Sequence, residues 1–344
     1  MRALVLGASG QMGRAVAQKL AAHGWQVTAA TRGGRTLPEV LGGRVTAVAQ
    51  AGSDAALIAD LPPFDAVFAP YAMNAADGAA LIAQRGRFGR LCVVSTASVH
   101  CDAEGRSLDS TATRGFPAFD DPVTEESPVL PPGTGYSAGK AAMEAAVAGP
   151  GVTILRPCAL WGIGARHPRE WWFVKRALDG RRAVPVKDAG RSVFHTTSAH
   201  ALARMAVLAF EAGADGPFLI ADEKAPSVAQ IAAVIGQVMG HDVALVPVAD
   251  LSEDLAHVGH SPWSAPAPFR VSTARAQAMG WRPDAYHAAA LRPYVDWLQA
   301  RAATWQQDFA AFAGYPHDPF DYAAEDRALA LLQAAQQGPI PDPC

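Results

Sequence analysis

The chain is 344 residues long, half of them apolar and 18% charged, with a net charge of −3 at neutral pH. That length holds one large domain, or a nucleotide-binding domain with a smaller partner, and the apolar share suffices for a substantial core. The charge gives no electrostatic reason to expect a nucleic-acid partner, and no run reaches the roughly 18 to 20 uninterrupted apolar residues that cross a bilayer.

Met1-Arg2-Ala3-Leu4-Val5-Leu6-Gly7 runs straight into a strand-like segment rather than a basic, apolar, cleavable leader. Cys92, Cys101, Cys158 and Cys344 are scattered, with no CxxC pair. The expectation is a cytoplasmic protein with reduced thiols and no membrane association.

Up to about residue 157, short β-rich runs alternate with alanine-rich amphipathic segments. Ala3–Ala8 reads as a strand, Met12–His23 as a helix and Gln26–Thr31 as a strand. Val45–Gln50, Ala66–Pro70 and Leu91–Thr96 read as further strands, with a helix at Ala75–Arg85. Tyr136–Ala148 reads as a helix and Val152–Pro157 as a strand. Such alternation, with strands apolar throughout, predicts a Rossmann-type α/β fold: a doubly wound parallel sheet covered by helices on both faces. The connection Cys101–Gly135 carries five prolines and seven acidic residues against two basic ones. It shows no periodicity, and its acidity suits solvation better than metal binding.

Beyond residue 157 helices are expected at Arg169–Asp179, Ser198–Glu211 and Ser227–Met239, with short strands at Ala183–Val186, Phe218–Ala221 and Ala244–Val248. The predicted organisation is a dinucleotide-binding domain over 1–157 and a smaller α/β substrate lobe over 158–300, some of its elements interleaved with the sheet. A C-terminal extension of unread role follows over 301–344.

Gly7-Ala8-Ser9-Gly10-Gln11-Met12-Gly13 sits between the first strand and the first helix. Glycines there permit a tight turn and let main-chain N–H groups approach a pyrophosphate at the helix N-terminus. Ser9, Gln11 and Met12 belong to the same turn. An acid at the end of the second strand would grip the ribose of NAD, but that strand ends in Thr31-Arg32. Arg32, helped by Arg35, suits the 2′-phosphate of NADP, which is favoured slightly over NAD.

Tyr136-Ser137-Ala138-Gly139-Lys140 places tyrosine and lysine one helical turn apart. A free phenol titrates near 10, and a neighbouring ammonium favours its anion, bringing it toward a useful acid–base range. Leu91–His100 is a buried strand running off its C-terminal end into Ser95-Thr96, where ligands bind in open α/β sheets and a hydroxyl can meet a substrate oxygen.

Taken in order, GASGQMG, VVSTASVH, YSAGK and Ile154-Leu155-Arg156-Pro157-Cys158-Ala159-Leu160-Trp161-Gly162 resemble the extended short-chain dehydrogenase/reductase family, often labelled NAD-dependent epimerase/dehydratase. The similarity runs across about residues 1–300, including Gly280-Trp281-Arg282-Pro283. It implies that Gly7, Gly10 and Gly13 hold the cofactor pyrophosphate, that Thr96 is the catalytic Ser/Thr and Tyr136 the acid–base. It further implies that Lys140 binds the nicotinamide ribose and tunes Tyr136, that Pro157 lies against the nicotinamide, and that Arg191 contacts substrate phosphates. A homodimer paired through the Tyr136 helix is also within the family's habits.

Departures from the family pattern bear on the substrate. Ala97-Ser98 follow Thr96 where dehydratases carry Asp–Glu, His100 stands for a tyrosine, Cys158-Ala159 for an asparagine motif, and Thr197-Ser198 for an acidic pair. Sugar dehydration by that route is not expected, and a nucleotide-sugar substrate is weakened. His195, His200, His257 and His260 are expected to be structural, without a third ligand for zinc. Trp171-Trp172-Phe173 suit a pocket wall and helix packing equally. The leading expectation is NAD(P)-dependent oxidation, reduction or epimerisation at a secondary alcohol or ketone carbon of a small molecule, with a sugar or nucleotide-sugar-like compound among the candidate substrates. The competing one is a non-catalytic NAD(P)-binding sensor or RNA-binding protein, whose mark would be loss of Tyr136 or Lys140; both are present.

Overall fold

The computed structural model describes residues 1–32, 43–120, 122–249 and 251–337; Arg35 lies outside them. Strands β1 (Arg2–Val5), β2 (Gln26–Arg32), β3 (Val45–Gln50), β4 (Phe64–Ala69), β5 (Phe88–Val94), β6 (Val152–Pro157) and β10 (Gly216–Ile220) form one sheet in the order β10-β6-β5-β4-β1-β2-β3. Every pairing in it is parallel. Successive side chains of β1 point to opposite faces. Ala3 and Val5 join a core with Val16, Leu20, Met205 and Phe210, from helices α1 (Gln11–Ala22) and α5 (Ala199–Ala212). Leu4 and Leu6 join another with Leu81, Met143 and Val147, from α3 (Ala75–Ile82) and α4 (Tyr136–Val147). Burial on both faces explains the unbroken apolar runs.

β1 pairs with β2 on one side and β4 on the other, so the winding reverses between β1 and β4. Ligands of such sheets bind beyond the strand C-termini at this reversal.

The chain divides into two compact units. The first holds residues 1–165, 195–225 and 269–285, and contains the sheet. It also holds the parallel pair β7 (Ala159–Trp161) and β9 (Thr196–Ser198). The break expected at 157–158 is thus not a single cut, and residues 195–225 return to supply β10. The second unit holds 166–194, 226–268 and the chain from Tyr286 onward, with β8 (Ala183–Lys187) and β11 (Ala244–Val248) pairing in parallel. Trp171, Trp172 and Phe173 are buried inside it, with the Arg176 guanidinium 3.5 Å from the Trp172 ring centre. Buried Arg176 also pairs with Glu325 of the terminal helix Tyr322–Gln337, so the C-terminal extension joins this unit's core.

Several boundaries shift for local reasons. β1 stops at Val5 because Gly7 turns to φ +62°. Helix α2 (Asp54–Asp60) escaped the sequence pattern although Ser53 caps it, accepting from Ala56 N–H at 3.2 Å. The 101–135 connection is pinned by a buried carboxylate: Asp102 accepts from the main chain of Glu104, Arg106 and Ala118 and from Arg106 Nε at 2.7 Å. Burial pushes this carboxyl up, but those donors outweigh it and hold it at about 2. For Asp102 at least, acidity in this loop is architecture rather than solvation. Among the described residues no helix is long and apolar enough to cross a membrane.

Candidate active site

The ends of β1, β4, β5 and β6 converge at one edge of the first unit's sheet. Gly7 leaves β1 and Gly10 caps α1 with no side-chain hydrogen bond, and the first turn has no acidic residue. Those uncapped amides are donors that an anion can use. A Cβ on Gly13 would lie 2.9 Å from Ala8 Cα and would strike the Gly7 carbonyl, so glycine lets α1 seat closely on β1. Ser9 is half-buried beside them, Gln11 Nε2 donates to Gly162 O at 3.3 Å, and Met12 packs into the core. The space over Gly7 and Gly10 is taken by the Tyr71 ring, which follows β4.

At the end of β2, Thr31 is buried and Arg32 is exposed, its Nη2 2.9 Å from Asp54 Oδ1. Gln50 Nε2 donates to the same oxygen at 2.6 Å.

β5 runs out through Ser95 to Thr96, which caps a 3-10 turn over Ala97–Val99. Thr96 Oγ1 lies 3.0 Å from Ser98 Oγ, and Ser98 Oγ lies 2.8 Å from Ser137 Oγ. Ser137 N–H donates to Asp109 Oδ2 at 2.8 Å. This hydroxyl chain connects the end of β5 to the start of α4. Ser98, Ser137 and Asp109 carried no assigned role in the sequence; their only signal was adjacency to Thr96 and Tyr136.

Tyr136 is the first residue of α4, preceded by Gly135 at φ +92°, and is 51% exposed. Lys140, one turn later, is buried and donates to Ala72 O at 2.8 Å and Val94 O at 2.7 Å. Burial lowers its ammonium to about 8, with Glu144 and Asp77 opposing. A Cβ on Gly139 would come within 3.0 Å of Met73 O, so glycine lets α4 approach the chain leaving β4.

Behind these groups, buried Glu144 accepts from Arg156 Nε at 2.9 Å and Nη2 at 2.6 Å. His100 sits 3.3 Å from Arg156 Nη1, with its Nδ1 toward Ser127 O and Pro128 O. Burial and the Arg156 charge lower His100 to about 4, so it is neutral and structural. Pro157 is buried at the end of β6, and Cys158 N–H donates to Thr197 Oγ1 at 2.9 Å. Burial and Asp222 push the Cys158 thiol well up, which suits packing rather than nucleophilic attack. Asp222 itself clamps β7 to β9, accepting from Trp161 Nε1, Thr196 Oγ1 and Ser198 N–H. His195 bonds Asp222 O at 2.9 Å and receives Val271 N–H, a structural role.

The glycine turn, Thr31, Arg32, Thr96, Tyr136, Lys140 and Pro157 therefore all belong to the first unit. Arg191 belongs to the second and is exposed, after Asp188-Ala189-Gly190 at φ +52°, +51° and +70°.

The family model described as NAD dependent epimerase/dehydratase family matches residues 3–221. No curated protein matches the chain. Among solved structures, it is similar to DesIV, a dTDP-glucose 4,6-dehydratase from Streptomyces venezuelae solved with NAD bound. The identity is 20% and the TM-score 0.63, covering 90% of this chain and 100% of that one. A UDP-glucose 4-epimerase from Thermotoga maritima, solved with UDP-glucose, is 18% identical at TM-score 0.63, covering 87% and 99%. A putative epimerase from Burkholderia cenocepacia is 20% identical at TM-score 0.65, covering 87% and 98%. At these identities the likeness is one of fold.

Proposed function

The chain belongs to the NAD-dependent epimerase/dehydratase family, an enzyme family of extended short-chain dehydrogenase/reductase type, and from that premise we propose that it oxidises, reduces or epimerises a hydroxyl- or keto-bearing carbon of a sugar-like small molecule. The observation that carries this reading is Lys140, buried beneath the ends of β4 and β5 on the helix that begins with Tyr136. An ammonium is costly to bury without a task, and two carbonyls use only two of its three N–H donors.

The chain's residues fit a dinucleotide. Gly7, Gly10 and Gly13, with Ser9, Gln11 and Met12, offer uncapped amides to a pyrophosphate once the Tyr71 ring moves aside. Arg32, exposed at the end of β2, would pair with a 2′-phosphate, which supports NADP. Lys140 would give its remaining N–H to the nicotinamide ribose, and Pro157 would wall the ring. When bound, the nicotinamide supplies the hydride acceptor or donor.

Thr96 donates to the substrate oxygen, held in place by Ser98. Tyr136 takes the hydroxyl proton as the carbonyl forms and returns it in the reverse direction. Its exposure leaves the phenol open to substrate, and the helix N-terminus and Lys140 favour its anion. No carboxylates follow Thr96, and Ser98 is committed to the Ser137 hydroxyl, which supports redox or epimerase chemistry over elimination.

The test is to denature purified protein, identify released NAD(H) or NADP(H), and then follow hydride transfer with a panel of sugars and ketones. Tyr136→Phe is expected to retain cofactor while the rate drops by about 10²- to 10⁴-fold. Unchanged turnover in Tyr136→Phe, or binding of neither dinucleotide, overturns the reading.

A further inference from the structure

Two glycines of the cradle face a side chain of this protein. A Cβ on Gly7 would lie 2.7 Å from Tyr71 Cδ2 and closer still to Cε2, while one on Gly10 would strike the Tyr71 hydroxyl. The phenol therefore spans both glycines, and its ring and a pyrophosphate cannot share that volume. The obstruction is specific, since the room at Gly13 is denied by main-chain atoms of Gly7 and Ala8 instead.

The position follows from topology. Tyr71 comes just after β4, and β4 lies beside β1 where the winding of the sheet reverses. The main chain just after it is fixed: Ala72 O accepts from Lys140 at 2.8 Å, and Met73 N–H donates to Asp77 Oδ2 at 2.8 Å. With the backbone held, clearing the seat requires the half-buried side chain itself to turn.

We propose that Tyr71 occupies the pyrophosphate seat of the cofactor-free enzyme and must rotate out for a dinucleotide to bind. The inference rests on the cofactor reading above and adds a regulator to that site. A binding-competent state populated at a fraction of the whole weakens apparent affinity by that fraction. Binding weakened in this way favours exchange of cofactor between turnovers, the condition for net oxidation or reduction. An epimerase, by contrast, returns the hydride to the same site.

The experiment titrates NAD⁺, NADH, NADP⁺ and NADPH into full-length wild type, Tyr71→Ala and Tyr71→Phe, with association rates by stopped-flow fluorescence. If the open state is about 1–10% populated, Tyr71→Ala binds about 10- to 100-fold more tightly and associates correspondingly faster. Tyr71→Phe keeps the ring and stays close to wild type. Unchanged or weaker binding in Tyr71→Ala overturns the proposal, the latter making Tyr71 a cofactor contact. Thermal melts of the cofactor-free variants check folding, and Tyr71→Leu serves should the alanine variant not fold. If neither wild type nor variant binds any dinucleotide, the cofactor reading itself fails and the proposal with it. Equal binding by both removes only the gate.

Discussion

Ser98 and Ser137 share a 2.8 Å hydrogen bond between their hydroxyls, and that contact joins the segment carrying Thr96 to the helix turn carrying Tyr136. Ser137 is fully buried, so its hydroxyl has no water to fall back on. Ser98→Ala removes a partner from both neighbours. The expected result is a roughly tenfold lower kcat with a stability loss of about 1 kcal/mol. Ser98→Thr restores most of the rate. Steady-state kinetics beside thermal melts check this, and an unchanged kcat would show that the hydroxyl chain does not hold Thr96.

Lys140 gives a pH signature of known sign. Burial lowers it from 10.5 to about 8. Below about pH 8 both the folded and the unfolded chain carry the proton, so stability does not respond. Between about 8 and 10.5 the unfolded chain holds a proton that the folded chain has lost, so stability rises with pH. In the proposed mechanism activity runs the other way: neutral lysine no longer favours the Tyr136 anion, so the rate is expected to fall above about pH 8. Melts at pH 7.5 and 9.5 are expected to show wild type gaining on Lys140→Met, and a relative loss would contradict the assignment.

Glu170 behaves oppositely. Its buried carboxyl accepts from the Tyr286 and Tyr294 hydroxyls, at 3.2 and 3.3 Å. Burial pushes it from 4.5 to about 7, with its own N–H, Arg169 and the two phenols opposing. Between those values the unfolded chain ionises while the folded chain stays protonated, so stability falls as pH rises, by about 3 kcal/mol at most. Glu170→Gln abolishes that slope. Denaturant midpoints from pH 4.5 to 7.5 are therefore expected to diverge in the variant's favour, and parallel curves would refute it.

The proposed contact of Arg32 with a 2′-phosphate makes it the test of cofactor choice. Its pair with Asp54 is exposed on the arginine side, so breaking it costs no more than about 1 kcal/mol. Arg32→Ala is expected to weaken NADP⁺ binding by about tenfold or more while sparing NAD⁺. Asp54→Asn frees the guanidinium and strengthens NADP⁺. Calorimetric titrations with both cofactors decide, and an equal loss for both in Arg32→Ala would remove the 2′-phosphate contact.

What could be read from the sequence was local. The βαβ alternation, the glycine turn and Tyr136–Lys140 each lie within a few residues of their partners, so periodicity and spacing exposed them. Strand and helix ends drifted where a single dihedral decides them, as at Gly7. The β7–β9 pair hid because it is three residues per strand and depends on Asp222, distant in sequence from β7. The helix Ala288–Gln299 carries Pro293 inside it, a residue that ordinarily reads as a break. Asp102 looked like one acid among seven until its donors were in view. Tyr71 left no trace, since its place over Gly7 comes from the sheet's crossing to β4.

The path of the chain between the two units governs how the protein can be made. β10 closes one edge of the parallel sheet with residues 216–220, and the first unit takes its last segment from 269–285. A ribosome that has released only residues 1–165 therefore exposes β6 as an open edge, and unpaired edges invite other chains. The nascent protein completes its first unit only when most of its length has emerged. Chains arrested before residue 216 are therefore expected to aggregate more readily than the full-length protein.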